Sequence, residues 1–247
     1  MELVKPSKVS LLKEQFKLKT KISLGNFMQL AIIEIIMLLL SLFNNVGEFM
    51  EDEIGMMRVG LHVSSQFGTF FVSLIWIFAI AIQMPGKEQR KISNSFVSSS
   101  TSHVLTDLML VGIFSFVIAI TVLTTNYLSA MILNLFFNRD FIVGYIIGNA
   151  PIVFLANLLT MAIVALAVGS FAYVMGVLNQ ISKLSLTGVA IVLVVIFKGF
   201  IISIIERVIN ATWQISSVIL FNVPFLVVAI ISIYVACFLS NKLEVKE

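Results

Sequence analysis

The chain has 247 residues, 59% of them hydrophobic and 12% charged, with a mean hydropathy of +1.06. Soluble domains carry about 45–50% apolar and about 25% charged residues, so this apolar excess cannot be buried in a water-soluble core, and lipid has to be part of the solvent. A net charge of +3 is too small to suggest nucleic-acid binding, and the lone Cys237 forms no intrachain disulfide. Only His62 and His103 are histidines, and without HExxH or CxxC they suggest no metal site.

Residues 1–23 are polar and carry Lys5, Lys8, Lys13, Lys17, Lys19 and Lys21. Pro6-Ser7 can open a helix. Val9, Leu12 and Phe16 fall on one face of it, flanked by lysines. That pattern suggests an amphipathic helix in the membrane interface, its lysines snorkelling to water. A secretory signal peptide is the competing reading. Against it, the basic stretch is long, Glu34 interrupts the apolar run, and no small-residue cleavage site is clear.

Six apolar segments follow, near 24–43, 66–84, 104–125, 151–178, 186–205 and 223–240, each able to span about 30 Å of hydrocarbon. The expected fold is an all-α integral membrane protein. A single domain covers 1–247, with a six-span bundle over 24–240 and a tail at 241–247. Residues 126–150 hold two short apolar runs around Asn138-Arg139-Asp140 and read as an outer-surface turn, or alternatively as a re-entrant hairpin.

Charge orients the chain. With the N-terminus inside, the inner segments hold twelve of the sixteen basic residues: the six N-terminal lysines, Lys87, Arg90, Lys91, Lys183, Lys242 and Lys246. The outer loops hold Arg58, Arg139 and Arg207. Both termini are therefore expected in the cytoplasm of a multi-pass cell-membrane protein.

Two ionisable residues lie deep in spans. Glu34 is about 15 Å into span one and Lys198 about 18 Å into span five at 1.5 Å per residue. Such residues usually face a partner or a wet cavity. Their similar depth allows a Glu34–Lys198 pair, either structural or lining a substrate path. Small residues at Ala165, Gly169, Ala172 and Gly176, and at Gly144 and Gly148, let helices approach closely within the bundle or between subunits. Glu48, Glu51, Asp52 and Glu53 read as a solvated outer face. Asp107 sits in the first turn of span three, where the helix dipole favours an acid. Asn210-Ala211-Thr212 matches a glycosylation sequon.

The main inner loop, 85–103, begins with Pro85-Gly86 and carries Lys87, Glu88, Gln89, Arg90 and Lys91. Ile92 and Phe96 can form the apolar side of a short helix, and the Ser/Thr residues at 98–102 can cap span three. This plan resembles the membrane subunits of ABC type-2 exporters, which have a cytoplasmic interfacial helix, six spans with both ends inside, and a charged coupling helix between spans two and three. Glu88-Gln89-Arg90-Lys91-Ile92-Ser93 looks like that family's coupling cluster. Where the family continues with a glycine, a leucine-rich run and a proline, this chain has Asn94, Phe96 and a serine run. The segment 206–214 resembles the family's short outer helices between spans five and six. Small size and high Lys and Ile content are similar to permeases of Gram-positive peptide exporters, including the staphylococcal phenol-soluble modulin exporter.

The resemblance implies a transport subunit exporting an amphipathic substrate, a peptide above all. It also implies an ATP-binding partner docked on Lys87–Ile92 and Phe96, and a second membrane subunit, identical or not. With no GxxxxGK[ST] in the chain, ATP and Mg would sit on that partner and no cofactor on this chain. The alternatives are a non-transporting immunity or scaffold protein and an intramembrane enzyme. No GxSxG, HExxH or acidic pair on matching spans supplies a catalytic constellation for the last.

Overall fold

A computed structural model describes residues 8–44, 47–54, 57–64, 67–86, 100–137, 151–181 and 215–244. The chain is helical over most of them: α1 (Lys8–Ile22), α2 (Leu24–Asn44), α3 (Phe67–Gln83), α4 (Ser100–Phe137), α5 (Pro151–Ile181) and α6 (Ile215–Glu244). Between α2 and α3 lies an antiparallel hairpin, β1 (Gly47–Ile54) and β2 (Met57–Ser64), with Gly47 opposite Ser64 and Ile54 opposite Met57. The all-α expectation did not include this hairpin.

Among the described residues three stretches are long and apolar enough to cross a membrane: Ser102–Ser129, Phe154–Gln180 and Phe221–Ser240. A fourth arises if Lys13–Ile22 and Leu24–Leu40 count as one span bent by 45°. The bend falls at Ser23, where the polar N-terminal segment was expected to meet the first apolar one. Gly68–Gln83 is a shorter apolar helix. Five of the six expected segments thus fall on described helices. The segment 186–205 lies outside the described residues.

α4 runs on to Phe137, twelve residues beyond the expected end at 125, so the first apolar run of 126–150 continues the helix, while Asn138-Arg139-Asp140, around which the turn was expected, lies outside the described residues. Leu128, Met131 and Leu135 on this extension are exposed. The polar Thr124-Thr125-Asn126 does not stop the helix, because the Thr124 hydroxyl donates back to the Ile120 carbonyl at 2.6 Å and Ser129 to that of Asn126 at 2.9 Å.

α5 packs against α3, α4 and α6, and α4 also touches α1, α2, α3 and α6. The core between them holds Leu30, Ile77, Val111, Phe114, Ile118, Val122, Tyr173 and Val177. Phe114 is fully buried, 4.6 Å from the Phe27 ring and edge-on to Trp76 at 5.5 Å. Outward, α4 shows Leu105, Met109, Ile113, Phe116 and Ile120 in a stripe at helical spacing, and α6 shows Val223, Val227, Ile230, Tyr234 and Phe238. In water such a surface would drive aggregation; in a bilayer it is the lipid contact.

The bundle has two distinguishable ends. At one, α3 ends and α4 begins; this is the loop end, and α4 already takes in Ser100–His103 of the stretch expected as the inner loop. At the other, the hairpin end, Tyr127 of α4 meets Phe154 of α5 at 6.0 Å. α6 runs in the same direction as α5. Asn222, near its start, donates to Thr160 in the first third of α5 at 2.9 Å, while Ala236, near its end, joins the buried cluster of Ala172, Tyr173 and Val177.

Candidate functional site

A buried ionic cluster sits at the loop end. Lys19 of α1 reaches Asp107 of α4, Nζ to Oδ1, at 2.6 Å, and also donates to the His103 carbonyl at 3.2 Å. The other Asp107 oxygen takes the Tyr173 hydroxyl of α5 at 3.1 Å and stands 3.0 Å from His103 Nδ1. Lys19, His103, Asp107 and Tyr173 are all buried. His103 and Asp107 meet because four residues is one helical turn.

This arrangement differs from the expected roles. Asp107 lies in the second turn of its helix and serves a cross-helix pair instead of a helix dipole. Lys19 does not snorkel to water. Lys13, Lys17 and Lys21 stay exposed, whereas Lys19, pointing to the opposite side of α1, turns into the bundle with Gln15. Ser102 adds a second tie, donating to Gln15 Oε1 at 3.3 Å. An ion pair taken out of water has to be well hydrogen-bonded to persist; here the carboxylate receives lysine and tyrosine donors from two other helices.

The neighbouring helix ends are fastened at the same level. Gln180 of α5 donates its side-chain amide to the Pro85 carbonyl just after α3. A Cβ added to Gly176 would collide with the Ile82 carbonyl and the Pro85 ring, so α3 and α5 meet here with no room for a side chain. One at Gly169 would lie 2.6 Å from Val111 Cγ1 and 3.1 Å from Ile77 Cδ1. Ala165 and Ala172 are fully buried. Gly169 and Gly176 thus mark close approaches of α5 to α3 and α4 of its own bundle.

A second polar group lies deeper. Glu34 of α2 is 5% exposed, and its hydrogen-bond partners among the described residues are hydroxyls. Ser73 of α3 donates to Oε1 at 3.0 Å, Thr121 of α4 to Oε1 at 3.3 Å, and Thr125 to Oε2 at 3.1 Å. Among the described residues no basic side chain pairs with Glu34. Lys198, the partner expected from depth, lies outside them. So do Lys87, Glu88, Gln89, Arg90, Lys91, Ile92 and Phe96, along with Gly144 and Gly148.

Sequence reasoning did not single out Ser73, Thr121, Thr125 or Tyr173, nor a bundle-facing role for Lys19 and His103. A signal was present for some: Thr121 and Thr125, like His103 and Asp107, stand four apart and share a helix face. Among the described residues no group of three or more His, Cys, Asp or Glu could hold a metal. Family models, curated proteins and solved structures give no match to this chain.

Proposed function

We propose that the chain is the membrane-spanning permease subunit of an ATP-driven exporter. It would have six spans and cytoplasmic termini, work with a separate ATP-binding chain and a second membrane subunit, and move an amphipathic peptide outward. The observation that carries this reading is that both flanks of the 85–103 loop are fastened into one end of the bundle. Upstream, Ile82 and Pro85 lock to α5 through Gly176 and Gln180. Downstream, His103 and Asp107 lock to α1 and α5 through Lys19 and Tyr173. Close-packed interiors transmit displacement with little compression. A push on the loop therefore reaches α1, α3, α4 and α5 together, as a coupling segment requires.

Two further features support the reading. The loop carries Lys87, Arg90 and Lys91, and the positive-inside rule assigns that end to the cytoplasm, where an ATPase resides. α5 ends at the loop end and α6 starts at the hairpin end, an arrangement that a further span between them would reconcile. The apolar stretch 186–205, about 30 Å long as a helix, suits that crossing.

The test is a double variant, Glu88→Ala with Arg90→Ala, in the assembled exporter. Transport should fall while ATP hydrolysis continues and the chain keeps its normal abundance. Normal transport at normal abundance would remove these residues as the coupling contact.

A further inference from the structure

From the surroundings of Glu34 we infer that this carboxylate and the hydroxyls of Ser73, Thr121 and Thr125 form an intramembrane site for one small monovalent cation, H⁺ or Na⁺. The inference does not depend on the exporter reading. It begins with charge balance. An isolated carboxylate carried into a low-dielectric interior costs many kcal/mol unless something positive joins it. α2 and α3 contain no other charged side chain, and on α4 the titratable residues are His103, Asp107 and Tyr127. His103 and Asp107 are committed to the loop-end cluster, and even Asp107, the nearer, is about 21 Å along the helix from Thr121. Tyr127 supplies no positive charge. Among the described residues only hydroxyls meet Glu34, and Lys198, the other deep charge in the sequence, lies outside them.

Those hydroxyls can serve either state of the site. Each has one hydrogen. Ser73 Oγ is 3.0 Å from Glu34 Oε1 and also 3.0 Å from the Thr69 carbonyl of its own helix. Thr121 Oγ1 is 3.3 Å from Glu34 Oε1 and 3.2 Å from the Ile118 carbonyl. With the hydrogens on Glu34, the hydroxyls solvate a bare carboxylate. With the hydrogens turned to the helix carbonyls, Ser73 and Thr121 present lone pairs toward Oε1, ready to accept from a protonated acid or to coordinate an ion beside it.

The spacing suits a small ion. Oxygens that bind a hard cation at about 2.3–2.6 Å and at right angles lie about 3.3–3.7 Å apart, slightly wider than the 3.0 and 3.3 Å seen from Oε1 to the two hydroxyls. A modest outward shift accommodates Na⁺, and a proton needs none. One carboxylate balances one positive charge; a divalent ion would leave an uncompensated charge in the bundle.

The experiment uses the full chain in lipid nanodiscs, with radioactive sodium binding and the infrared carboxyl band, Glu34 assigned by subtraction of Glu34→Gln. Sodium bound by the native chain and lost in Glu34→Gln identifies the ion as Na⁺. A Glu34 band that is protonated without sodium binding, at any pH between about 7 and about 9 where an ordinary glutamate is ionised, identifies it as H⁺. A Glu34 that stays ionised throughout that range with no sodium bound overturns the site. Ser73→Ala with Thr121→Val keeps the acid and removes two ligands. It should weaken sodium binding about tenfold, or displace the protonated carboxyl's titration midpoint or band position. No change in any of these would also overturn the proposal.

Discussion

Replacing Asp107 by asparagine should be among the most damaging single changes at the loop end. Its side chain is 1% exposed, and it receives Lys19 at 2.6 Å and Tyr173 at 3.1 Å while standing 3.0 Å from His103. Asp107→Asn strands the Lys19 ammonium in a buried setting, and removing one partner of a buried pair typically costs about 3–5 kcal/mol. Lys19→Met is milder. Asp107 then keeps Tyr173 as a donor and His103 beside it, so the loss is that of one charged hydrogen bond, about 1.5–3 kcal/mol. Lys19→Met combined with Asp107→Asn leaves no unpaired charge at this pair and should cost well under the sum of the single losses. The assay is reversible unfolding in mixed micelles, run as a double-mutant cycle. Losses that add to within about 0.5 kcal/mol would show that the two side chains do not interact, and the anchoring of α1 to α4 would be refuted.

Other expectations follow from packing and charge. Gly176→Ala should destabilise more than Gly169→Ala in the same unfolding assay. The first meets the backbone carbonyl of Ile82, which cannot move alone, and the second meets side-chain tips of Val111 and Ile77; overpacking of this kind costs about 1–3 kcal/mol. Equal losses would mean that the α3–α5 contact yields more easily than its geometry implies. In intact cells, with Cys237 replaced, a cysteine at Asp52 should react with an impermeant reagent and one at Lys91 should not. The opposite pattern would invert the topology.

The helices were legible because lipid imposes a strong pattern: long apolar runs separated by charge mark where α2, α3, α4, α5 and α6 lie, although α4 ends well past its expected end and α6 starts well before its expected beginning, and the break at Ser23 follows the end of the lysine-rich stretch. The hairpin was less visible. β2 does alternate, with Val59, Leu61 and Val63 between Arg58, Gly60 and His62, and Ile54 is followed by Gly55. The acidic cluster beside it drew attention to charge instead of period. The far end of α4 was missed because Thr124, Thr125 and Asn126 look like a helix stop, although hydroxyls bonded to their own helix carbonyls are tolerated inside one.

Partners of the buried polar groups were the least legible part. Depth along a helix can be counted from sequence, but the direction in which a side chain faces cannot. Glu34 was therefore matched to the one other deep charge, Lys198. Ser73, Thr121 and Thr125, sitting in apolar runs, carried no charge pattern to attract the same scrutiny. Lys19 is one of six N-terminal lysines of similar appearance, and only the packing of α1 against α4 separates it from Lys13, Lys17 and Lys21.

The central claim is that residues 85–103 hand mechanical work from a nucleotide-driven partner to the helices fastened at the loop end. A photo-reactive amino acid placed at Arg90 in living cells tests it most directly, with the cross-linked chain identified by mass spectrometry. The account predicts a light-dependent adduct with a cytoplasmic chain bearing a GxxxxGK[ST] phosphate-binding motif, unchanged in yield when the probe is moved to Gln89 and absent when it is placed at Asp52. Adducts at Arg90 confined to membrane proteins without that motif would contradict it.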